Sequence, residues 1–374
     1  MLFAGLATFI VAVFVTWLVT PGVIRLAHGL GAVDLPGGRK MHGAPIPRIG
    51  GVAVFAGFTA GLACASYAAG NLLAFSRVSV HWRGMALVAS GMLLVGLLDD
   101  LWGLSFRAKF LAQTLAAVAV YLCGFRIEAI AGFPALGLLA LPLTVLWIVG
   151  VTNAVNLIDG LDGLATGIAL ITTCAVSVIA LVRGEFGVAA ASVALAGSLV
   201  GFLPFNFNPA RIFLGDSGSL FLGFILAVTS VRGSQKGPTV VAVLVPLLVL
   251  GLPLLDTTLA VVRRMYRLSR RAYGTSPRPL RFVVGHLQEV FLPDRGHIHH
   301  RLLDVGLSHR RAVLVLYGVG GLFVAAAFGL VLLRSVVLAA LLAGVLGLLM
   351  TAFLVALYWR IRRAERAAAA QDGA

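Results

Sequence analysis

The stretch Asn153-Ala-Val-Asn156-Leu-Ile-Asp159-Gly-Leu-Asp162-Gly-Leu164 sets four polar side chains at a strict spacing of three between two long apolar segments. Residues three apart share a face of a helix, so the spacing predicts that Asn153, Asn156, Asp159 and Asp162 converge in successive pairs. Gly160, Gly163 and Gly167 loosen the helix there. An Asp at the centre of a bilayer costs roughly 2.5–3.5 kcal/mol, so two of them beside an apolar segment read as a site. A capped helix end accounts for one such residue but not for four in register.

Other stretches carry compatible chemistry. Asp99 and Asp100 close an apolar run; adjacent carboxylates repel and need a cation or a shared proton, which points to metal or base chemistry. Gly215-Asp216-Ser217-Gly218-Ser219 opens a predicted helix and offers backbone N–H groups and one carboxylate, which suits a phosphate bridged through a divalent ion. Upstream of it lie Asn206 and Phe213; Phe213 suits stacking on a base, or anchoring at a bilayer interface. His297, His299 and His300, with Arg295 and Arg301, have the makings of a zinc site, but the nearby acids and the absence of cysteines there favour phosphate contacts. Lys40, His42 and Arg48, in a Pro- and Gly-rich loop, suit phosphate and equally suit a basic flank of a membrane span. Asp256 precedes Arg263 and Arg264 by two turns and reads either as part of a site or as a buried acid neutralised by those arginines.

The elements that must position these residues are membrane helices. Of the 374 residues 60% are hydrophobic and only 11% charged, with mean hydropathy +1.02, against about a quarter charged in a soluble domain. The expected fold is therefore an all-α polytopic membrane protein, a single integral-membrane domain over 1–374. Eleven spans are predicted, near 2–24, 50–70, 84–98, 108–124, 137–152, 164–182, 187–204, 218–231, 239–262, 312–333 and 336–358. The first run shows no charged n-region or cleavage pattern and reads as a span rather than a signal peptide. Residues 126–141 read as a small external hairpin. Residues 263–311 read as a long cytoplasmic loop with an interfacial helix over 283–291, and 360–374 as a basic cytoplasmic tail. Cys64, Cys123 and Cys174 sit in apolar runs and read as small core residues.

The net charge of +15 is a topology signal rather than a sign of nucleic acid. Sorted by alternate loops, 22 of the 29 Lys and Arg fall on one side, which the positive-inside rule makes cytoplasmic. The N-terminus is then expected outside and the C-terminus inside, and every polar motif falls on the cytoplasmic face. Ionisable groups gathered at a membrane face, with no internal repeat, argue against a transporter. They suit Mg²⁺-assisted phosphoryl transfer between a soluble nucleotide compound and a membrane-held acceptor. The alternatives are the same chemistry on another nucleotide-linked sugar, a transporter or lipid flippase, and a noncatalytic scaffold.

Leu98-Asp99-Asp100, the run Asn153 to Gly163, the run Asn206 to Ser219 and His297-Ile-His299-His300 together resemble the polyprenyl-phosphate N-acetylhexosamine-1-phosphate transferases of glycosyltransferase family 4, which include phospho-N-acetylmuramoyl-pentapeptide transferase. The resemblance implies a multi-pass enzyme of the bacterial inner membrane that moves a sugar 1-phosphate from a UDP-N-acetylhexosamine to undecaprenyl phosphate, releases UMP and requires Mg²⁺, with Mn²⁺ as a substitute. It implies Asp216 as the metal ligand, with Asp99 and Asp100 assisting the metal and deprotonating or positioning the lipid phosphate. Asp159 and Asp162 would line the nucleotide–metal pocket, Asn206 and Phe213 would lie near uracil, and the three histidines would meet the sugar phosphates. Lys40, His42, Arg48, Asn153, Asn156, Gly215, Arg295 and Arg301 complete the expected substrate-binding set. Membrane lipids and a second copy of the chain are further partners this reading allows; nucleic acid is not. The His-Ile-His-His form and Pro45-Ile-Pro47-Arg48 look like the N-acetylglucosamine branch, whereas the linker from Arg264 to Asp294 is longer than the family's usual basic linker.

Overall fold

In a computed structural model, residues 2–36, 44–68, 80–127, 137–234, 245–275 and 297–333 are described, with isolated positions 282, 286, 341, 344 and 345. These residues are almost entirely helical. The long helices are α1 (Leu2–Leu30), α2 (Gly51–Ala68), α3 (Val80–Trp102), α4 (Phe106–Leu122), α5 (Ala140–Ile158), α6 (Leu164–Val182), α7 (Phe186–Asn206), α8 (Gly215–Ser234), α9 (Gly251–Thr275) and α11 (His309–Leu333); the short α10 covers Ile298–Asp304. Seven helices among the described residues are long and apolar enough to cross a membrane: α1, α2, α3, α5, α6, α7 and α11. The windows expected at 108–124, 218–231 and 239–262 fall on α4, α8 and, where described, α9, which are not among those seven; the window at 336–358 lies almost wholly outside the described residues.

Helix α8 is the axis of the bundle. It packs between α3 and α5, and every residue from Ser217 to Val231 is buried. A helix apolar on all sides belongs in the interior, as α8 does. Around it, α1 lies against α2 and α7, and α6 lies between α7 and α11. Small residues permit the close approach that membrane helices use in place of a hydrophobic driving force: a Cβ at Gly57 would collide with Thr16, and one at Gly197 with the carbonyl of Phe9. The outer face of α1 presents Phe3, Ile10, Phe14 and Trp17, all more than half exposed, as expected of side chains that meet lipid.

Two expectations are corrected. The four-residue polar row is not one helix: α5 ends at Ile158, Asp159 is its C-cap, and α6 begins only at Leu164 after Gly163 adopts φ 78°. The span ending near 262 continues to Thr275, so residues 263–275 are helix rather than loop. Leu252, Asp256, Ala260 and Leu268 are all buried at multiples of four residues, a stripe that persists after the arginines begin. Asp256, read from the sequence either as part of a site or as an acid neutralised by Arg263 and Arg264, accepts hydrogen bonds from His297 and from the Ile298 amide.

The interfacial helix at 283–291 lies outside the described residues. So does most of the expected hairpin at 126–141, whose described end, Gly137–Leu139, is a 3-10 turn entering α5. A hairpin appears elsewhere: β1 (Val33–Asp34) pairs antiparallel with β2 (Ile46–Pro47), with Val33 opposite Pro47.

Candidate functional site

The end of α3, the end of α5, the end of α7, the start of α8 and the start of α11 meet at one end of the bundle around a cavity of about 720 Å³. The volume is in the range of small-molecule sites. Seven of the chain's 14 Asp and Glu residues line it, against Arg48, His300 and His309 as basic lining groups.

The cavity wall begins with the start of α8. Gly215 has φ 73°, a left-handed turn that glycine tolerates, and a Cβ there would strike the carbonyl of Arg48. Beyond this turn the free N–H groups of Asp216 and Ser217 donate to the two oxygens of Asp100, each at 2.9 Å. Asp100, only 5% exposed, therefore caps α8 from α3 and compensates the positive end of that helix. Gly96, one turn earlier on α3, lets the two backbones touch: a Cβ there would collide with the Asp216 carbonyl.

Asp99 and Asp100 consequently do different things. Asp99 turns to the other side, where its Oδ1 accepts from the Leu104 amide and its Oδ2 accepts from Lys109 Nζ at 2.8 Å. The same ammonium donates to Asp216 Oδ2 at 2.9 Å, so Lys109 bridges two carboxylates carried by different helices. Asp216 Oδ1 accepts from Asn156 Nδ2 at 2.7 Å, and Asn156 also reaches Ser219. Lys109 sits in the first turn of α4, which Ser105 caps through its Oγ. Sequence reasoning counted Lys109 only as a topology charge; a cation on the helix that immediately follows the Asp99–Asp100 pair was the available signal.

Asp159 and Asp162 both line the cavity from the α5–α6 turn, but they too diverge. Asp162 Oδ2 accepts from Asn208 Nδ2 at 2.9 Å and from the Ala210 amide at 3.0 Å, and its own amide donates to His309 Nε2 at 3.0 Å. Its carboxylate is a staple between two loops. Asp159 has no such partners among the hydrogen bonds of the described residues. Burial first, and then the charges of Asp216, Asp100 and Asp162, push its carboxyl well above the ordinary range.

Of the expected substrate contacts, Arg48, Phe213, Gly215, Asn156 and His300 line the cavity. A short backbone ladder brings the first two together: the Phe213 amide donates to Pro47 O, and the Gly50 and Gly51 amides donate to Phe213 O and Leu214 O. Asn206 also lines it, but is 2% exposed and engaged at both ends, accepting from Thr166 and donating to Ile212 O, so it holds its own loop. Asn153 is not in the lining; it donates to Gln113 on α4 at 2.6 Å.

The three histidines separate as well: His297 and His299 are buried behind the wall, which corrects the expectation that all three meet phosphate, and only His300 reaches it. Burial, more than the His300 and His297 rings beside it, pushes the His299 imidazole down to about 3, so it is neutral at physiological pH. Arg301, on α10, is not in the lining, and Lys40, His42 and Arg295 fall outside the described residues. Asp34, Asp304 and His309 line the cavity without having been singled out from the sequence.

Among the described residues, no three His, Cys, Asp or Glu side chains form a ready-made metal cage. The donor set still fits Mg²⁺, which is commonly bound through one or two carboxylates together with substrate phosphates. Asp216 and Asp99 point at one cation already, the Lys109 ammonium, and Asp159 has no ion-pair partner among the described residues.

Comparison with known proteins covers the same helices. The sequence model of glycosyl transferase family 4 matches residues 82–234, from α3 to α8. A probable undecaprenyl-phosphate N-acetylglucosaminyl 1-phosphate transferase of Bacillus subtilis is 39% identical over 320 residues, 84% of this chain and 82% of that protein. The decaprenyl-phosphate N-acetylglucosaminephosphotransferase of Mycobacterium tuberculosis is 37% identical over 335 residues, 82% of this chain and 77% of its own length. A phospho-N-acetylmuramoyl-pentapeptide-transferase of Staphylococcus aureus is 31% identical over 255 residues, 62% of this chain and 71% of its own. Similarity of this depth, centred on the helices that gather the cavity's carboxylates, means that the chain belongs to glycosyl transferase family 4.

Proposed function

We propose that the chain transfers N-acetylglucosamine 1-phosphate from UDP-N-acetylglucosamine to a polyprenyl phosphate, undecaprenyl phosphate by preference, and releases UMP. The observation that carries this reading is the Lys109-bridged pair of Asp99 and Asp216 in an acidic cavity at one end of a membrane bundle. The names of the relatives supply the sugar and the class of acceptor.

In the proposed reaction an oxygen of the acceptor phosphate bonds to the β-phosphorus of the donor. The bond from that phosphorus to the bridging oxygen breaks, and UMP leaves with the electron pair. Mg²⁺, held by Asp216 with Asp99 beside it, would supply charge neutralisation for the diphosphate. Arg48 and His300 face the same cavity and suit the phosphates, and Phe213 suits the base. Direct displacement is favoured over a covalent aspartyl intermediate. Both oxygens of Asp100 are taken by α8 amides and both oxygens of Asp99 are bound, so neither is presented as a free nucleophile, whereas the lipid phosphate is anionic from the start.

The split of Lys and Arg supports a cavity end facing the cytoplasm of a bacterial inner membrane, with the N-terminus outside and the C-terminus inside; eleven spans remain the proposed count. A reporter fused after Ala374 should be active only in the cytoplasm; activity confined to the periplasm reverses the orientation.

Purified protein should move radiolabelled N-acetylglucosamine phosphate into organic-extractable lipid only when Mg²⁺ or Mn²⁺ is present. Asp216→Asn should abolish transfer by at least about a hundredfold with unchanged melting, because Asn caps a helix as well as Asp does but is a poor ligand for Mg²⁺. Near-normal transfer by Asp216→Asn at low millimolar Mg²⁺ would move the metal assignment to Asp159. Labelled lipid absent under all conditions, with UDP-N-acetylglucosamine intact, refutes the enzyme.

The raised carboxyl of Asp159 gives a stability prediction. A group protonated more readily in the folded than in the unfolded state makes stability fall as pH rises above the ordinary carboxylate value of about 3.9, until the raised folded value is passed. Asp159→Asn removes that penalty. Ligand-free Asp159→Asn should melt higher than the parent at pH 7.5 and no higher near pH 4. A lower melting temperature at pH 7.5 contradicts the electrostatic strain ascribed to Asp159.

A further inference from the structure

We propose that Asp256, on α9 and outside the cavity lining, is a positioning residue for the transfer reaction, holding the His297–His300 segment against the active-site wall. The inference rests on the functional reading above and adds a residue to it.

Asp256 is 3% exposed, and a carboxylate so buried has to be paired and hydrogen-bonded. Both partners belong to one short segment. Its Oδ2 accepts from His297 Nδ1 at 2.8 Å, and its Oδ1 accepts from the Ile298 amide at 2.8 Å. His297 is the N-cap of α10 and makes no side-chain cap bond itself, so Asp256 supplies the missing acceptor from another helix. Two bonds from one carboxylate fix both the position and the direction of α10 where it begins, and they fix the Nδ1–H tautomer of His297.

The position is passed on by contact. The His297 and His299 rings are parallel, 5.7 Å apart with 9° between planes, and His299 leans on His300 at 4.3 Å. His299 Nδ1 is buried without a hydrogen-bond partner, so packing alone holds that ring. It lies against Gly160, where any Cβ would collide with it, and Gly160 belongs to the turn that carries Asp159 and Asp162. Asp256 thus sets His300 in the wall on one side and braces the carboxylate turn on the other. A merely structural ion pair would stabilise the fold and leave the chemistry of folded molecules untouched.

The experiment is a double-mutant cycle on transfer of N-acetylglucosamine phosphate, with turnover expressed per folded molecule and wild-type transfer as the control. Asp256→Asn is isosteric and keeps an acceptor for the Ile298 amide, but it replaces an acceptor for His297 by a choice between a clash of donors and the wrong tautomer. It should lower turnover roughly tenfold to a hundredfold while changing the KM for UDP-N-acetylglucosamine by less than about threefold. His297→Leu should lose as much, and the double variant no more than the worse single one, because the two residues act as a unit. His297→Asn, whose amide can still donate to Asp256, should retain turnover within about threefold of wild type; this variant decides the matter should Asp256→Asn fail to fold. Wild-type turnover in folded Asp256→Asn, losses that multiply in the double variant, or a His297→Asn as poor as His297→Leu each overturns the positioning role while wild-type transfer stands. Absence of transfer in the wild type overturns the functional reading and this inference with it.

Discussion

Two backbone amides at the start of α8 and one carboxylate on α3 hold the site together. Helix α8 is buried from Ser217 to Val231, so the N–H groups at its start have little access to water, and unpaired donors there cost on the order of 1–3 kcal/mol each. Asp100 satisfies two of them at once. The register of α3 against α8 is thereby fixed, and with it the place of Asp216, which follows the turn at Gly215. Asp99, the preceding residue on α3, is rotated by about 100° from Asp100 on the helix and is left to face Lys109 and Asp216.

The same division recurs around the cavity. Asp162 staples the α5–α6 turn to the loop before α8, Asn206 ties that loop to itself, and Tyr317 of α11 donates to Gly163 O. These polar groups use their hydrogen-bonding capacity on holding loops and helix ends together. Asp99, Asp216 and Asp159 are the carboxylates of the sequence-predicted site that are not spent in this way, and of these the first two share one ammonium. Negative charge in excess of its built-in cations suits a cavity that receives a divalent ion together with phosphates, and it leaves the ligand-free protein strained at Asp159.

Much of this was legible in the sequence, and the illegible parts share a cause. The helices and the clustering of four motifs at one membrane face follow from apolar run lengths and the sorting of Lys and Arg, both of which are local signals. Which way a carboxylate points after its helix ends is not local. The spacing of Asp159 and Asp162 predicted a shared helical face, but α5 ends at Ile158, so the two lie in a turn and Asp162 reaches the loop of Asn208 and Ala210 instead. Adjacent Asp99 and Asp100 gave no hint that one would cap a helix more than a hundred residues later. Lys109 resembled any basic residue at a membrane edge, and the two-residue strands at Val33–Asp34 and Ile46–Pro47 are too short to show a period. The extension of α9 was masked by its arginines, although the buried stripe through Asp256 and Leu268 was present in the spacing.

The most direct test of the central arrangement is an experimental structure of the chain with UDP and Mn²⁺, the metal located by its anomalous signal. The arrangement proposed here predicts one Mn²⁺ within about 2.1 Å of an Asp216 carboxylate oxygen and in contact with the diphosphate, with Asp100 still accepting from the Asp216 and Ser217 amides. Mn²⁺ at the histidine segment, or Asp100 released from α8 to take the metal itself, would contradict it.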